Sequence, residues 1–473
     1  MSRMTGVRSL PDALQVAVVG GGPVGLYVAG ELALRGINCA VFERDERAVR
    51  ATRALVLHSR TLEFLDMRGM ADRFLDDGHR YRRYPLGAAR ADVSFSVLDS
   101  PFPNALALPQ HRTTELLEDH ALKNGALVAR GAEVTALRQD FTGVELSVRH
   151  AGRTRRVRAD YIVGCDGARS TVRRLTGVSA PRTVYPYDVV SIDARADAGP
   201  PQPWSRCGPD GMVLALPFGD GRWRLVLYPY VLYPYDLSSR DLHRHGRAAA
   251  PGPAWAEALL RRITGHDLAL HDVEWLSAYR CERRHAAAYR HHRVLLAGDA
   301  AHVHPPTGGQ GLNTGIADAM SLGWRLAAAL AEPRHDALLD AYARERRCAA
   351  ARIMRLTGAM LHFNALPSAW GHALRATVLT AVRLPPVHRY LAARLAGLRG
   401  NPERRVPDVP LLAPATPAPH RLFEALRSGG HVHLTPECGT PDPRAADVTL
   451  PMTTLRTAAR RRPCVVRPDG HML

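Results

Sequence analysis

Residues 16–25 read Val16-Ala17-Val18-Val19-Gly20-Gly21-Gly22-Pro23-Val24-Gly25, and this stretch decides the fold of the chain. The four apolar residues at its start are typical of a buried parallel strand. Residues 26–35 predict a helix with Gly36 at its C-cap, and residues 38–42 predict a second strand that ends at Glu43. The order of strand, glycine turn, helix and strand predicts the opening unit of an open α/β sheet.

The three glycines of this turn have the spacing G-x-G-x-x-G. Gly20 permits a tight turn, Gly22 lets the backbone approach a pyrophosphate closely, and Gly25 lets the helix pack against the strand. The helix N-terminus offers unpaired N–H groups and a partial positive charge to that pyrophosphate. Glu43, at the end of the second strand, can accept hydrogen bonds from a ribose. Together these features predict dinucleotide binding.

Two later segments also end a strand with an aspartate beside a glycine. Residues 161–165 form an apolar run that leads into Asp166-Gly167, and residues 293–297 form another that leads into Gly298-Asp299. Because the carboxyl ends of parallel strands meet at one edge of an open sheet, these aspartates are expected near the glycine turn.

A glycine-rich loop follows the third strand, and a long helix is predicted from residue 314 to about residue 330. The loop reads Pro305-Pro306-Thr307-Gly308-Gly309-Gln310-Gly311-Leu312-Asn313. Its glycines remove side chains where a flat ring could lie against the backbone. The N–H groups of Leu312 and Asn313, near the helix start, would stabilise negative charge on the pyrimidine edge of such a ring.

With these three motifs in this order, the chain resembles the group A flavoprotein monooxygenases, the family of para-hydroxybenzoate hydroxylase. The resemblance is nearest to the branch that acts on aromatic polyketides, phenols and rifamycin-type antibiotics, and it extends over residues 16–473. It implies an α/β fold with a Rossmann-like FAD-binding domain, an inserted mixed β-sheet substrate domain and a small thioredoxin-like C-terminal domain.

The resemblance also implies roles for the motif residues. The glycines of the first motif would hold the FAD pyrophosphate, and Glu43 the adenosine ribose. Asp166 of the second motif would serve both FAD and NADPH, and Asp299 of the third would contact the ribityl-pyrophosphate region.

Three flanking segments match the family more loosely. Arg53-Ala54 resembles an Arg-Ala stretch beside the flavin, Gln110 lies in a Pro-Gln-x-x-x-Thr-Glu stretch, and Val134 lies where backbone meets the adenine. The full set of residues predicted to bind the cofactor is Gly20, Gly22, Val24, Gly25, Glu43, Arg44, Arg53, Gln110, Val134, Asp166, Gly167, Asp299, Pro305, Gly309, Gly311, Leu312 and Asn313.

On the same resemblance the chain divides into three domains. The FAD-binding domain is discontinuous and comprises residues 12–75, 105–182 and 285–345. Residues 76–104, 183–284 and 346–400 form the substrate domain with its covering helices, including a hairpin whose strands are predicted at 212–218 and 223–230. Residues 401–473 form a reduced thioredoxin-like domain, in which the absence of a CxxC motif gives no indication of redox exchange.

The family resemblance implies the reaction. NADPH reduces the flavin, O2 adds to give a flavin C4a-hydroperoxide, and one oxygen atom passes to a large aromatic or polyketide-like molecule in secondary-metabolite biosynthesis. Baeyer–Villiger or epoxidising chemistry and antibiotic-inactivating hydroxylation stay open on the same scaffold. A non-redox FAD-binding cyclase and a catalytically idle FAD-binding protein are alternatives of another class. No catalytic base is assigned, because His58, His302 and His304 can equally be structural histidines.

The composition indicates which classes of partner the protein binds and in which cellular compartment it works. The net charge of +18 is spread along the 473 residues, and Lys123 is the only lysine, which indicates a preference for arginine codons and no nucleic-acid partner. The seven cysteines never have CxxC spacing, so we expect no disulfide framework, no metal site and a reducing cytoplasm. The first fifteen residues are polar and have no apolar core, so no signal peptide is expected. Five glycines, Pro23 and Glu31 interrupt the apolar run at 16–34, so no stable membrane insertion is expected. A monomer or a homodimer is expected.

Overall fold

The computed structural model of the protein describes residues 10–47, 54–86, 92–230, 252–365, 369–399, 404–412, 419–436, 450–459 and 462–473. Two large sheets and three small ones form its strand framework. In chain order the strands are β1 (Ala13–Val19), β2 (Cys39–Glu43), β3 (Val56–Leu57), β4 (His79–Tyr81), β5 (Arg83–Pro85), β6 (Asp92–Ser94), β7 (Ala105–Ala107), β8 (Leu127–Arg130), β9 (Ala132–Gln139), β10 (Val144–His150), β11 (Arg153–Gly164), β12 (Arg182–Ala196), β13 (Trp204–Gly208), β14 (Gly211–Pro217), β15 (Arg222–Pro229), β16 (Leu270–His285), β17 (Arg290–His291), β18 (Val294–Leu296), β19 (His302–Val303), β20 (His431–Pro436), β21 (Met452–Thr457) and β22 (Cys464–Val466).

The helices cover the sheets and connect them. In chain order they are α1 (Pro23–Ala33), α2 (Ser59–Asp66), α3 (Ala71–Asp77), α4 (Gln110–Lys123), α5 (Thr171–Leu175), α6 (Pro253–Thr264), α7 (Gln310–Ala331), α8 (Ala337–Ala365), α9 (Ala369–Val382), α10 (Pro385–Leu395) and α11 (Leu422–Ala425). Within the described ranges, no helix combines the length and the apolar character that a membrane crossing requires.

The first large sheet has eight strands, and its centre is parallel. The order is β17-β18-β11-β1-β2-β8, with β10 paired to β11 and β9 paired to β10. Strand β1 pairs in parallel with β2 and with β11, and β11 pairs in parallel with β18. Val19 lies opposite Phe42 and Gly164, and Gly164 lies opposite Leu296. The carboxyl ends of these four strands therefore bring the three predicted motifs to one edge of the sheet.

Helices α1 and α7 pack over this sheet, and both begin earlier than the sequence pattern indicated. The prediction of a start at residue 26 was late, because Pro23 has the fixed φ that suits a first helical position. Helix α1 also ends earlier than predicted, at Ala33 with Leu34 as its C-cap, and Gly36, at φ +73°, lies beyond the cap. The predicted start at residue 314 was also late: Gly309, at φ +62°, is the N-cap of α7, and Gly311 does not interrupt the helix. Leu312 and Asn313 thus lie inside its first turn.

The second large sheet has six strands in the order β13-β14-β15-β12-β16-β19. The predicted hairpin is present as β14 and β15, which pair antiparallel from Gly211 opposite Pro229 to Pro217 opposite Trp223. The far end of β16 pairs with the short strand β19, where Arg284 lies opposite Val303. Since β19 leads directly into the glycine-rich loop, the second sheet is attached to that loop.

The C-terminal part of the chain forms a small sheet in the order β21-β20-β22. Strand β20 pairs in parallel with β21 and antiparallel with β22. This unit contacts helix α2, where Asp66 accepts hydrogen bonds from Arg421 (2.5 Å) and Arg427 (3.0 Å). The domain boundaries given above and the likeness of this unit to thioredoxin stay predictions.

Candidate functional site

The glycine turn after β1 is shaped by contacts that exclude any side chain. A Cβ atom at Gly20, whose φ is +109°, would lie 2.4 Å from the carbonyl oxygen of Cys165. A Cβ atom at Gly25 would lie 2.0 Å from the carbonyl oxygen of Gly20. At Gly22, by contrast, no described atom comes within 4 Å of the Cβ position, and no described side chain caps helix α1 there. The N-terminus of α1 therefore faces open space, as pyrophosphate binding would require.

Glu43 lies at the end of β2 beside this turn, and its carboxylate fixes the turn itself. Its Oε2 accepts a hydrogen bond from the Gly21 N–H (2.6 Å), and its Oε1 accepts one from the Asp45 N–H (2.9 Å). Arg44 is exposed and lies 3.8 Å from the Asp45 carboxylate. The G-x-G-x-x-G pattern assigned Glu43 to a ribose and missed its contact with the turn, which no spacing rule indicates.

Val24 connects the first motif with the third. Its side chain fills the space that Cβ atoms at Gly298 (3.0 Å) and Gly315 (2.5 Å) would need. Helix α1, the turn after β18 and helix α7 thus approach each other closely around one valine.

Asp166, after β11, combines a satisfied and an unsatisfied carboxylate oxygen. Its Oδ2 accepts hydrogen bonds from the N–H groups of Thr171 (2.6 Å) and Val172 (3.0 Å) at the start of α5. Its Oδ1 is buried, and no described residue donates to it. A buried acceptor without a donor is costly, so this oxygen is suited to receive a ligand hydroxyl. Gly167 beside it has φ +79° and open space at its Cβ position among the described atoms.

Asp318 of helix α7 holds the turn that carries Asp299 in place. The buried Asp318 carboxylate accepts hydrogen bonds from the Gly298 N–H (3.0 Å), from His302 Nε2 (2.6 Å) and from Arg346 Nε (2.8 Å). Burial alone would raise the pKa of Asp318, but the charges of His302 and Arg346 hold that pKa below its usual value. Asp299 itself is exposed at the top of the turn. The sequence analysis missed Asp318, whose partners lie outside any local motif.

The glycine-rich loop has two consecutive residues in the left-handed region. Gly308 has φ +73° and Gly309 has φ +62°, and L side chains rarely adopt this conformation. His58 Nε2 lies 2.7 Å from the Gly308 carbonyl oxygen, and Pro305 is buried. At Gly311 the nearest described atom to a Cβ would be His304 Cε1 at 3.9 Å, so the face of the loop stays open.

The side chain of Asn313 clamps this loop to the segment around β3. Its Oδ1 accepts hydrogen bonds from the His58 N–H (2.8 Å) and the Thr61 hydroxyl (2.6 Å). Its Nδ2 donates to the carbonyl oxygens of Val56 (2.8 Å) and Gly309 (2.7 Å). The sequence pattern assigned only the Asn313 N–H, next to the partly buried Leu312, and gave no sign of this clamp.

The three residues predicted in the flanking segments differ in their structural environments. Gln110 begins helix α4, and its Oε1 accepts a hydrogen bond from the Ala54 N–H (3.0 Å). Val134 is buried in β9 opposite Val148, so its side chain belongs to the core. Arg53 lies outside the described residues.

Two histidines near the loop, His58 and His304, have lowered pKa values. Burial lowers the pKa of His58 to about 4, against a raising effect of its bond to Gly308. Burial and the neighbouring His302 lower the pKa of His304 to about 4. In the described part of the chain, no three His, Cys, Asp or Glu side chains are grouped to hold a metal ion.

An apolar cluster adjoins the loop on the side of the second sheet. Met360 of α8 lies 3.3 Å from the position a Gly308 Cβ would take, and the His58 ring meets Phe95 edge-on at 6.2 Å. Tyr84, Tyr228 and Leu214 belong to the same cluster. The site therefore combines two helix N-termini that no described side chain caps, a glycine-lined surface and an adjoining apolar, aromatic cluster. These features fit a dinucleotide with a flat ring, as FAD has.

Comparison with known proteins agrees with this geometry. A family model described as an FAD binding domain matches residues 13–357. A 12-dehydrotetracycline 5-monooxygenase/anhydrotetracycline 6-monooxygenase of Streptomyces rimosus subsp. rimosus is 37% identical over 450 residues, which cover 90% of this chain and 86% of that protein.

Two solved structures have the same fold along nearly the whole chain. An anhydrotetracycline hydroxylase from Streptomyces rimosus superposes with a TM-score of 0.82 at 34% identity, over 97% of this chain and 95% of that one. A Diels-Alderase of pyrroindomycin biosynthesis also has a TM-score of 0.82, at 30% identity, over 98% of this chain and 95% of that one.

Proposed function

The chain belongs to the FAD binding domain family, and from this we propose that it is an FAD-dependent monooxygenase of large aromatic or polyketide-like small molecules, with NADPH as the electron donor. The observation that carries the proposal is the meeting of three distant glycine- and aspartate-bearing loops at one sheet edge, beside an apolar wall. A dinucleotide cofactor needs the first feature, and a bulky apolar substrate needs the second.

We propose a division of tasks among the residues of the site. The N-terminus of α1 binds the pyrophosphate, with Glu43 holding the turn in shape. Asp166 Oδ1 and the Asp299 carboxylate accept hydrogen bonds from sugar and ribityl hydroxyls. The N-terminus of α7, with Gly309 as its cap, orients the flat ring and stabilises negative charge on it.

When bound, FAD would supply electron transfer and O2 activation, while the chain positions the substrate and excludes water. The overall reaction balances as one substrate C–H bond, O2, NADPH and H⁺ giving the hydroxylated product, H2O and NADP⁺. Tyr84 and Phe95 are buried behind the loop, and the partly buried Met360 that packs on them is suited to contact an aromatic substrate and to keep water from the reacting atoms.

A second candidate, a non-redox cyclase that uses FAD as a structural element, is favoured by one observation. The solved Diels-Alderase matches 98% of this chain with the same TM-score as the hydroxylase. The relatives whose names describe oxidation favour the monooxygenase for this chain.

The first test asks whether the protein binds FAD and whether NADPH reduces it. Purified protein incubated with FAD and desalted is expected to show a flavin absorption spectrum, and anaerobic NADPH is expected to bleach it. A Gly25→Ala variant is the matched control, because its Cβ would collide with the Gly20 carbonyl. Protein that stays colourless in excess FAD would contradict the proposal.

The second test identifies the chemistry. Phenols, naphthoquinones, anthracyclines and rifamycins are incubated with the enzyme, NADPH and air, and the products are analysed by mass. The gain of one oxygen atom supports the monooxygenase. A product of unchanged mass, formed without NADPH consumption, would instead support the cyclase.

A further inference from the structure

The C-terminal unit ends in a tight turn, here called the C-terminal turn, which comprises residues 467–471. The Arg467 N–H donates to the His471 carbonyl (2.8 Å), and the Gly470 N–H donates to the Arg467 carbonyl (2.9 Å). Gly470 has φ +69°, and a Cβ there would lie 2.5 Å from Met67 Cε, just beyond helix α2. The turn is therefore pressed against the α2 region.

Buried polar groups of two helices grip the C-terminal turn. Arg60, on α2, donates to the Asp469 carbonyl (2.8 Å), and its Nη2 lies 3.2 Å from His471 Nε2. Trp324 Nε1, on α7, donates to the Asp469 carboxylate (3.2 Å). Arg68, which follows α2, donates to the Pro468 carbonyl (3.1 Å). Asp469 is 1% exposed and Arg60 is 4% exposed, so these groups have little access to water.

The same N-terminal end of α2 that carries Arg60 also holds the glycine-rich loop. Thr61, next to Arg60 in sequence, donates through its hydroxyl to Asn313 Oδ1 (2.6 Å), and the His58 N–H donates to the same oxygen (2.8 Å). The His58 ring contacts the Gly308 carbonyl at 2.7 Å. The first turn of α2 thus carries both Arg60, which contacts the C-terminal turn, and Thr61, which contacts the loop.

The cost of breaking buried hydrogen bonds makes the connection from the C-terminal turn through α2 to the loop rigid. Between α2 and the C-terminal turn, the buried guanidinium groups of Arg60 and Arg68 donate to backbone carbonyl oxygens of the turn. A shift would leave these buried donors unsatisfied, so α2 and the C-terminal turn keep their relative position. The Asn313 amide makes four hydrogen bonds, two to the start of α2, one to the β3 segment and one to the loop, so a shift of α2 would break bonds that have no ready replacement.

We propose that the C-terminal turn is a positioning element for the flavin site. It fixes helix α2, and α2 fixes the loop from Gly308 to Asn313 against which the flavin ring lies. Its residues touch neither cofactor nor substrate; Asp469, Arg60 and Thr61 act through Asn313. This inference rests on the proposed location of the flavin.

The test is a double-mutant cycle read out by FAD binding. Asp469→Asn disturbs the C-terminal turn, and Thr61→Val cuts the contact at the loop. Each is expected to raise the FAD Kd of the apoprotein about 2- to 30-fold and to change the visible circular dichroism of bound flavin. Because both act on one connection, the double variant is expected to show clearly less than the product of the two effects.

The matched control is Asp193→Asn, which disturbs the buried pair with Arg224 (2.6 Å) in the second sheet. It is expected to lower the melting temperature while leaving the FAD Kd unchanged, which separates positioning from general destabilisation. If Asp469→Asn does not fold, Trp324→Phe replaces it, since that change keeps an aromatic ring and removes the Nε1 donor to Asp469.

The outcomes are distinguishable. A wild-type protein that binds no FAD overturns the proposed function together with this inference. Wild-type binding with an unchanged Kd and dichroism in the folded C-terminal variant overturns the inference alone. If the two effects on the FAD Kd multiply in the double variant, the inference is also overturned, because Asp469 and Thr61 would then act independently.

Discussion

Replacement of Asp318 by alanine tests the support beneath the Asp299 turn. Asp318 is fully buried and accepts hydrogen bonds from Gly298, His302 and Arg346. Removal of one partner from a buried ion pair costs about 3–5 kcal/mol, because the remaining charge is left buried. For a cooperative unit of 150–250 residues, that corresponds to a melting temperature lower by about 6–20 °C.

The assay is thermal unfolding of the FAD-loaded protein, followed by flavin fluorescence and by far-ultraviolet circular dichroism. Asp318→Asn is expected to lose a comparable amount, because it also removes the buried counter-charge of Arg346 and turns an N–H donor toward groups that donate to Asp318. Asp77→Ala is the control, because its ion pair with Arg112 is partly exposed and contributes about 1 kcal/mol or less. A loss below about 2 °C for Asp318→Ala would refute the reasoning.

Three further predictions concern the first motif and its surroundings. Gly25→Ala, whose Cβ would lie 2.0 Å from the Gly20 carbonyl oxygen, is expected to abolish FAD retention on desalting; a yellow variant would contradict this. Glu43→Ala removes the acceptor for the Gly21 N–H and is expected to raise the FAD Kd about 10-fold, with Glu43→Gln closer to wild type in a fluorescence titration. Burial lowers the pKa of His58 to about 4, so the unfolded chain takes up a proton there first and stability falls as the pH drops from about 6.5 to about 4. The melting temperature of His58→Gln is expected to fall less across that window; an identical pH profile would speak against the argument.

The parts of the fold that were predictable are the elements signalled by residues close together in the sequence. The apolar run before Gly20 and the left-handed Gly36 just beyond α1 mark a strand and the end of a helix in the local sequence. The hairpin at β14 and β15 follows from two apolar runs around a glycine turn. The late prediction for α7 has a local cause as well, since glycines in its first turn look like helix breakers although Gly309 serves as its cap.

The supports of the site were not predictable, because their partners are distant in sequence. Asn313 reaches His58 and Val56 across more than 250 positions, and Asp318 reaches Arg346 on the next helix. A single sequence does not specify such pairings. The cofactor assignments for Asp166 and Asp299 remain predictions that the observed geometry supports.

The ionic contacts of helix α2 set a rule for building chimeras from relatives. Glu63 accepts from Arg405 (2.9 Å) and Asp66 from Arg421 (2.5 Å), so each acidic group on α2 has its partner in the C-terminal unit. A graft that exchanges residues 404–473 alone would leave these carboxylates facing foreign side chains. The exchange must therefore include α2 together with the C-terminal unit. A cut made only at the proline-rich stretch near residue 402 would separate the carboxylates of α2 from their arginine partners.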